Sequence, residues 1–155
     1  MDDNTLFALC IWDEAQGEPP EGRRAVSRVI HNRMALGYES DGTVVGTVLK
    51  KFQFSGFWFS MQAGAYTETE FDLAGAEAQA ARLLVQAQTT SVWSDCQLAV
   101  TDGAIGSSYA WGPQGRLIDA QPRTLLYCNM AISHPAWASA TNEVAVVYHH
   151  TFFKD

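Results

Sequence analysis

Two carboxylates flank a glycine in the run Glu14-Ala15-Gln16-Gly17-Glu18-Pro19-Pro20-Glu21-Gly22, and their type and spacing suit proton-transfer chemistry. The preceding stretch, Leu6 to Trp12, is apolar on every side and predicts a buried helix, with Asp2, Asp3 or Asn4 as its N-cap. Glu14 therefore leaves a hydrophobic helix at its C-terminal end. There the negative end of the helix dipole and partial desolvation both favour the protonated carboxyl, the bias that a general acid needs near neutral pH.

The elements that must position these groups follow from local chemistry. Gly17 suits a helix C-terminus, Pro19 pushes Glu18 out of the helical region, and Pro20 with Glu21 suits the first turn of a new helix. Glu14 and Glu18 thus fall on different elements. The plainer alternative is a pair of surface acids around an ordinary helix-helix turn. From Gly22 to Leu36, Ala25, Val26, Val29, Ile30 and Met34 recur at helical spacing, with Gly37 as C-cap. A short helix is expected over 43–51, and the clearest helix runs from Asp72, its cap, to Gln88, with Ala76, Ala80, Leu83 and Leu84 on one face.

Phe52-Gln53-Phe54-Ser55-Gly56-Phe57-Trp58-Phe59 is dense in aromatics yet broken by polar residues, which suits a strand or loop along a groove, or else a core strand. From Thr89 to Pro122 the chain predicts turns and short pieces, with Tyr109 and Trp111 among turn formers as a candidate substrate-facing loop. The last third resumes at Leu125-Leu126-Tyr127, and a strand-like Glu143 to Tyr148 runs on into His149-His150-Thr151-Phe152-Phe153. No repeat is visible.

With 155 residues, 47% of them hydrophobic, the chain is expected to be a single domain, 1–155, with a proper core. A formal charge of −7 argues against nucleic acid and against an electrostatic hold on anionic lipid or wall polymers, while a neutral sugar backbone remains a fitting ligand. Cys10, Cys96 and Cys128 are an odd, widely spaced set, which favours reduced thiols in a cytosolically made protein. Asp2 and Asp3 stand where a secretory signal carries basic residues, and the apolar run beyond them is too short to span a bilayer, so neither self-export nor membrane insertion is expected.

Three blocks of this chain resemble the cell-wall hydrolases of the spore-cortex-lytic SleB type, a family that also occurs among bacteriophage endolysins. They are Glu14-Ala15-Gln16-Gly17-Glu18-Pro19 through Val29-Ile30-His31-Asn32-Arg33, then Phe52-Gln53-Phe54-Ser55, then Tyr127 through Pro135-Ala136-Trp137-Ala138 to His150-Thr151-Phe152-Phe153. The resemblance implies a lysozyme-like, mostly helical α+β fold with a small β element. It implies cleavage of the bond between N-acetylmuramic acid and N-acetylglucosamine in peptidoglycan by a lytic transglycosylase that leaves a 1,6-anhydro end. The family's single catalytic Glu falls on Glu14. Glu18, Asn32, Gln53, Phe54, Ser55, Trp137 and His150 are the substrate-binding residues it implies, with Trp58, Tyr109 and Trp111 as further stackers on sugar faces. This chain departs from the family at Tyr127-Cys128-Asn129, where an aromatic is usually followed by His and Asn, and at His149, where Gly is usual.

No cofactor or metal is expected. The partner is the peptidoglycan glycan strand, the protein a monomer, and the setting that of an endolysin held in the host cytoplasm until a separate holin releases it to the periplasm and wall. Other readings stay open. A hydrolytic muramidase needs a second carboxylate, about 5 Å away as nucleophile or roughly 6.5–9.5 Å away to activate water, and Glu18 is its candidate unless that group merely fixes the helix break through backbone amides or Arg33. A zinc amidase or peptidase using His31, His134, His149 and His150, with Glu14 as base, lacks a ligand pair of familiar spacing. A catalytically silent wall-binding or interaction module would be marked by retention of glycan without turnover.

Overall fold

The first helix of the computed structural model, α1 (Asp3–Ala15), is buried on every side from Leu6 to Trp12, as its uninterrupted apolar run requires. The structure describes residues 1–51, 53–62, 65–68, 72–102 and 113–155. Asp2 caps α1 by accepting from the Thr5 amide at 3.0 Å. The Trp12 indole donates to Thr90 Oγ1 at 3.0 Å, tying the far end of α1 to a segment far along the chain. The helix closes at Gln16, whose amide donates to the Trp12 carbonyl; Gly17 does not adopt the left-handed conformation. After the break, α2 (Pro20–Leu36) opens with proline at its first position, where the missing N–H costs nothing. It closes on Gly37 at φ 67°, a conformation that a side chain would strain.

α3 (Val44–Val48) is capped by Thr43, whose side chain accepts from the Gly46 amide. A single 3₁₀ turn (Ser55–Phe57) follows, so the aromatic run begins as a helical turn around buried Phe54 and Phe57 and becomes strand only at Phe59. β1 (Phe59–Gln62) pairs antiparallel with β2 (Ala65–Glu68). α4 (Leu73–Ala87) is capped by Asp72, which accepts from the Gly75 amide at 2.7 Å, and buries Ala76 and Ala80 with Leu83 and Leu84 packed beside them.

The expectation of turns between Thr89 and Pro122 is corrected by two helices, α5 (Trp93–Asp102) and α6 (Pro113–Asp119). α5 buries Cys96, Ala99 and Val100, a helical stripe of small residues hidden among Ser, Thr and Asp. α2 reaches both through its arginines: Arg23 pairs with Asp95 at 3.1 Å and Arg28 with Asp119. The candidate loop carrying Tyr109 and Trp111 lies outside the described residues, as does Phe52.

A second sheet, in the order β3-β5-β4, is built from β3 (Thr124–Cys128), β4 (Glu143–Val147) and β5 (His150–Lys154), all antiparallel. The stretch from Glu143 to Phe153 is therefore a hairpin and not one extended run. Val147 pairs with His150, and Tyr148 and His149 make the reversal, with Tyr148 at φ 53°. The result is the expected α+β architecture, a mostly helical, lysozyme-like body with small β elements. Its core links α1, α2 and the described parts of α3, α4, α5 and α6 to the β4–β5 hairpin.

Candidate active site

Glu14 sits in the last turn of α1, half-buried, and accepts a hydrogen bond from the Tyr127 hydroxyl of β3 at 2.9 Å on Oε2. Burial pushes its carboxyl up to about 7, and the negative charge of Asp13 pushes the same way. The Tyr127 bond and the Arg33 guanidinium oppose the rise without reversing it. Tyr127 itself is held well above the usual phenol range, chiefly by burial and then by Glu14, so it remains a donor. Asp13 rises to about 6 through burial, although the Gly56 amide supports its charged form. A Cβ on Gly56 would fall on the Asp13 carboxylate, so only glycine permits this approach.

The cleft that Glu14 faces has a volume of ≈ 330 Å³. Arg33 from the last turn of α2 and Tyr38 and Glu39 from the turn after it line it, with Gln53 and Phe54 from the aromatic run, Leu126 and Tyr127 from β3, and Trp137. Arg33 is fixed by donating from Nε to the Leu125 carbonyl at 2.8 Å and from Nη1 to Gln53 Oε1 at 3.2 Å, and its guanidinium lies 5.2 Å from the Phe54 ring centroid. Trp137 is partly exposed and rests edge-on against Phe153 at 5.5 Å. Glu39, the other carboxylate of the lining, is exposed at the rim and pairs with Lys50 at 3.4 Å.

Of the residues singled out in the sequence, the structure thus brings Glu14, Gln53, Phe54 and Trp137 into one cleft. The others stand elsewhere. Asn32 is buried and spends its amide on the Thr124 carbonyl at 3.0 Å, which anchors α2 to β3. Ser55 is exposed at the start of the 3₁₀ turn, outside the lining. Trp58 is buried, with its indole donating to the Lys50 carbonyl at 3.1 Å.

Glu18 is 7% exposed and accepts from the His149 amide at 3.2 Å, with His149 Nδ1 at 3.0 Å from its other oxygen and His150 Nδ1 at 4.0 Å. It holds the β4–β5 reversal and does not line the cleft; its partner is a backbone amide, as one sequence reading had it, and that amide belongs to a distant strand turn. His150 stands edge-on to the Tyr127 ring at 5.2 Å. His31 lies apart, its Nε2 against the Val100 carbonyl at 2.8 Å and its ring beside Phe7. Among the described residues no three of His, Cys, Asp and Glu are grouped as a metal would need.

Arg33, Tyr38, Glu39 and Tyr127 were not picked out as cleft residues from the sequence. The signal available was proximity to the motif blocks, since Arg33 ends the first and Tyr127 opens the third. A larger hollow of ≈ 520 Å³ between α3 and the start of α4 contains Asp41 and Asp72, but both carboxylates are spent on local amides and hydroxyls. It contains no group poised for proton transfer.

The fold and cleft together define a mostly helical α+β body that presents one half-buried, high-pKa carboxyl beside a small antiparallel sheet. No protein-family model matches the sequence, and no curated protein does. Two solved structures share the fold over nearly the whole chain. The catalytic domain of the germination-specific lytic transglycosylase SleB from Bacillus anthracis superposes with a TM-score of 0.60 at 23% identity, covering 98% of this chain and 93% of that one. The catalytic domain of the Bacillus cereus SleB protein gives 0.61 at 23% identity, covering 98% and 89%. The three-block resemblance read from sequence is thus matched by a common fold.

Proposed function

We propose that this protein degrades peptidoglycan by cleaving the glycosidic bond between N-acetylmuramic acid and N-acetylglucosamine as a lytic transglycosylase. The observation that carries the reading is Glu14: a carboxyl held near pH 7, buried on one side, open to a cleft on the other, on the fold of SleB catalytic domains. Because Tyr127 occupies Oε2, Oε1 is the oxygen left to face substrate. Protonated Glu14 gives its proton to the glycosidic oxygen as the bond to C1 breaks. The resulting carboxylate, supported by Tyr127 and Arg33, then takes the proton of the muramic acid C6 hydroxyl, whose oxygen attacks C1 to close the 1,6-anhydro ring. No water is consumed.

Gln53 supplies an amide beside Glu14 and Trp137 an exposed indole for a sugar face, while buried Phe54 backs the Arg33 guanidinium. A hydrolytic muramidase is the second reading. Its candidate carboxylate, Glu18, is turned to the β4–β5 reversal, and the exposed Glu39 is paired with Lys50, which favours the single-acid route. Mass spectrometry of products from purified peptidoglycan decides between them: anhydro-muropeptides support the proposal, and reducing ends one water heavier overturn it in favour of hydrolysis. Absence of any soluble product overturns both in favour of a glycan-binding module.

An endolysin in the host cytoplasm, released by a separate holin, is the setting we propose on the strength of the sequence resemblance. Among the described residues no helix is long and apolar enough to cross a membrane. Expression alone should leave bacterial cells intact, and expression with a membrane-permeabilising partner should lyse them; lysis without the partner would contradict this setting.

A further inference from the structure

We propose that the β4–β5 reversal, Tyr148 and His149, is a sugar-binding platform that extends the cleft past Glu14 on the side away from Arg33. This rests on the peptidoglycan reading and names a subsite within it. Strand β3 gives the scale along the cleft. Arg33 is anchored to the carbonyl of Leu125 near the start of β3, Glu14 meets the hydroxyl of Tyr127 farther along, and Cys128 at the end of β3 pairs with Thr151. His150 therefore stands beyond the end of the ladder, and the reversal beyond that. At roughly 3.3 Å per strand residue, four residues separate the Arg33 anchor from the position facing His150 by roughly 13 Å, more than one pyranose ring. Glu14 lies between the two ends, as a group that cuts inside a chain must.

The chemistry at the tip suits a sugar. Tyr148 is 65% exposed, and its ring centroid lies 4.0 Å from that of His149, so two adjacent rings offer apolar faces and polar edges together. His149 is not free to wander, because Glu18 accepts from its amide and lies 3.0 Å from its Nδ1. A buried carboxylate is thus committed to fixing an exposed turn. His150 connects the tip to the acid, standing edge-on to the same Tyr127 that bonds Glu14.

Tyr148 also holds a left-handed backbone at φ 53°, where a bulky side chain is disfavoured and glycine would be relaxed. The ring of His149 is the aromatic neighbour of Tyr148, and the rest of the tyrosine ring is largely in solvent, so core packing gives no reason for a tyrosine there. The strain persists because the Glu18 contacts and the Val147 to His150 pairing determine the turn from both sides. An exposed aromatic kept at a position that favours glycine, two residues before the histidine that stands against Tyr127, has its explanation in contact with substrate. The glycan strand is the occupant the site reading supplies.

The experiment is steady-state cleavage of peptide-free glycan strands by wild type, Tyr148→Gly and Tyr148→Phe, with the thermal midpoint of each. Glycine relieves the backbone strain, so the midpoint of Tyr148→Gly should hold or rise. Its KM should nonetheless increase roughly three- to tenfold, the range expected for one aromatic contact, with the loss falling on KM and not on kcat. Tyr148→Phe keeps the ring face and should stay within about twofold of wild type. Should Tyr148→Gly fail to fold, Tyr148→Asn, which also tolerates the left-handed region, serves the same comparison. An unchanged KM in the ring-less variant, with wild type active, overturns the platform alone. A wild type that cleaves no glycan overturns the peptidoglycan reading, and the platform with it.

Discussion

Replacing Glu14 by Gln should abolish turnover and at the same time make the protein more stable above neutral pH. Gln keeps the length of the side chain and an oxygen to accept the Tyr127 hydroxyl, but it has no acidic proton to give. The stability gain follows from the position of the carboxyl, raised from an ordinary 4.5 to about 7 by burial. Between those values the folded protein keeps a proton that the unfolded chain has lost, so the wild type loses stability as pH rises from about 4.5 to about 7. The full loss amounts to about 3 kcal/mol. Because Glu14 opens onto the cleft, solvent relieves part of this, leaving about 2–3 kcal/mol at pH 8 and close to none at pH 4. For a chain of this length that is a rise in thermal midpoint of about 5–10 °C at pH 8. Differential scanning calorimetry of both proteins at the two pH values gives the comparison, with activity on peptidoglycan measured in parallel. A midpoint difference that is the same at pH 4 and pH 8 would refute the buried-acid argument. More than about a hundredth of wild-type activity would remove Glu14 as the general acid, since such groups contribute about 10²–10⁴-fold.

Tyr127→Phe removes the bond that supports the charged form of Glu14, so the alkaline limb of the pH–activity profile should move to higher pH; a limb that stays or moves down would contradict the assignment. Glu18→Ala leaves the His149 amide without its acceptor and should lower stability by about 1–3 kcal/mol while the product type stays the same, whereas a switch of product would place Glu18 in the chemistry. His31 is pushed below its ordinary range by burial, so its neutral form supports the fold and that support is lost as pH falls below about 6.5. His31→Gln should flatten the acid side of the midpoint-versus-pH curve, and a curve of unchanged slope there would count against the burial. Gly56→Ala displaces the Asp13 carboxylate from the Gly56 amide and should cost about 1–3 kcal/mol in urea unfolding; an unchanged transition midpoint would show that the approach is not needed.

The elements whose burial is written in strong periodicity were legible in advance. α1 needed only its unbroken apolar run, α2 its Pro start and Gly37 stop, and α4 its Asp72 cap. α5 was hidden because Cys96, Ala99 and Val100 make a weak stripe among residues that also favour turns, and only packing on α1 and α2 decides between the two. The reversal at Tyr148 carries neither Gly nor Asn, the usual marks of a two-residue turn, so the sequence reads through it as strand. At the site, Glu14 was visible because its neighbours in sequence bury it. Asn32, drawn into the α2–β3 contact, and Arg33, turned into the cleft, could not be told apart, since which face of α2 meets β3 depends on residues 92 positions away. Tyr127 was legible as part of a motif and not as the partner of Glu14.

Glu14 is mounted on the helix that the rest of the molecule encloses, whereas Trp137 and Glu39 of the same cleft lining are exposed. Mutations that shift the acid must first breach the core and are removed by selection for folding alone. Mutations at the rim meet no such filter. On the proposed reading, the proton donor is kept as a by-product of staying folded, while the exposed positions beside it are free to be rewritten.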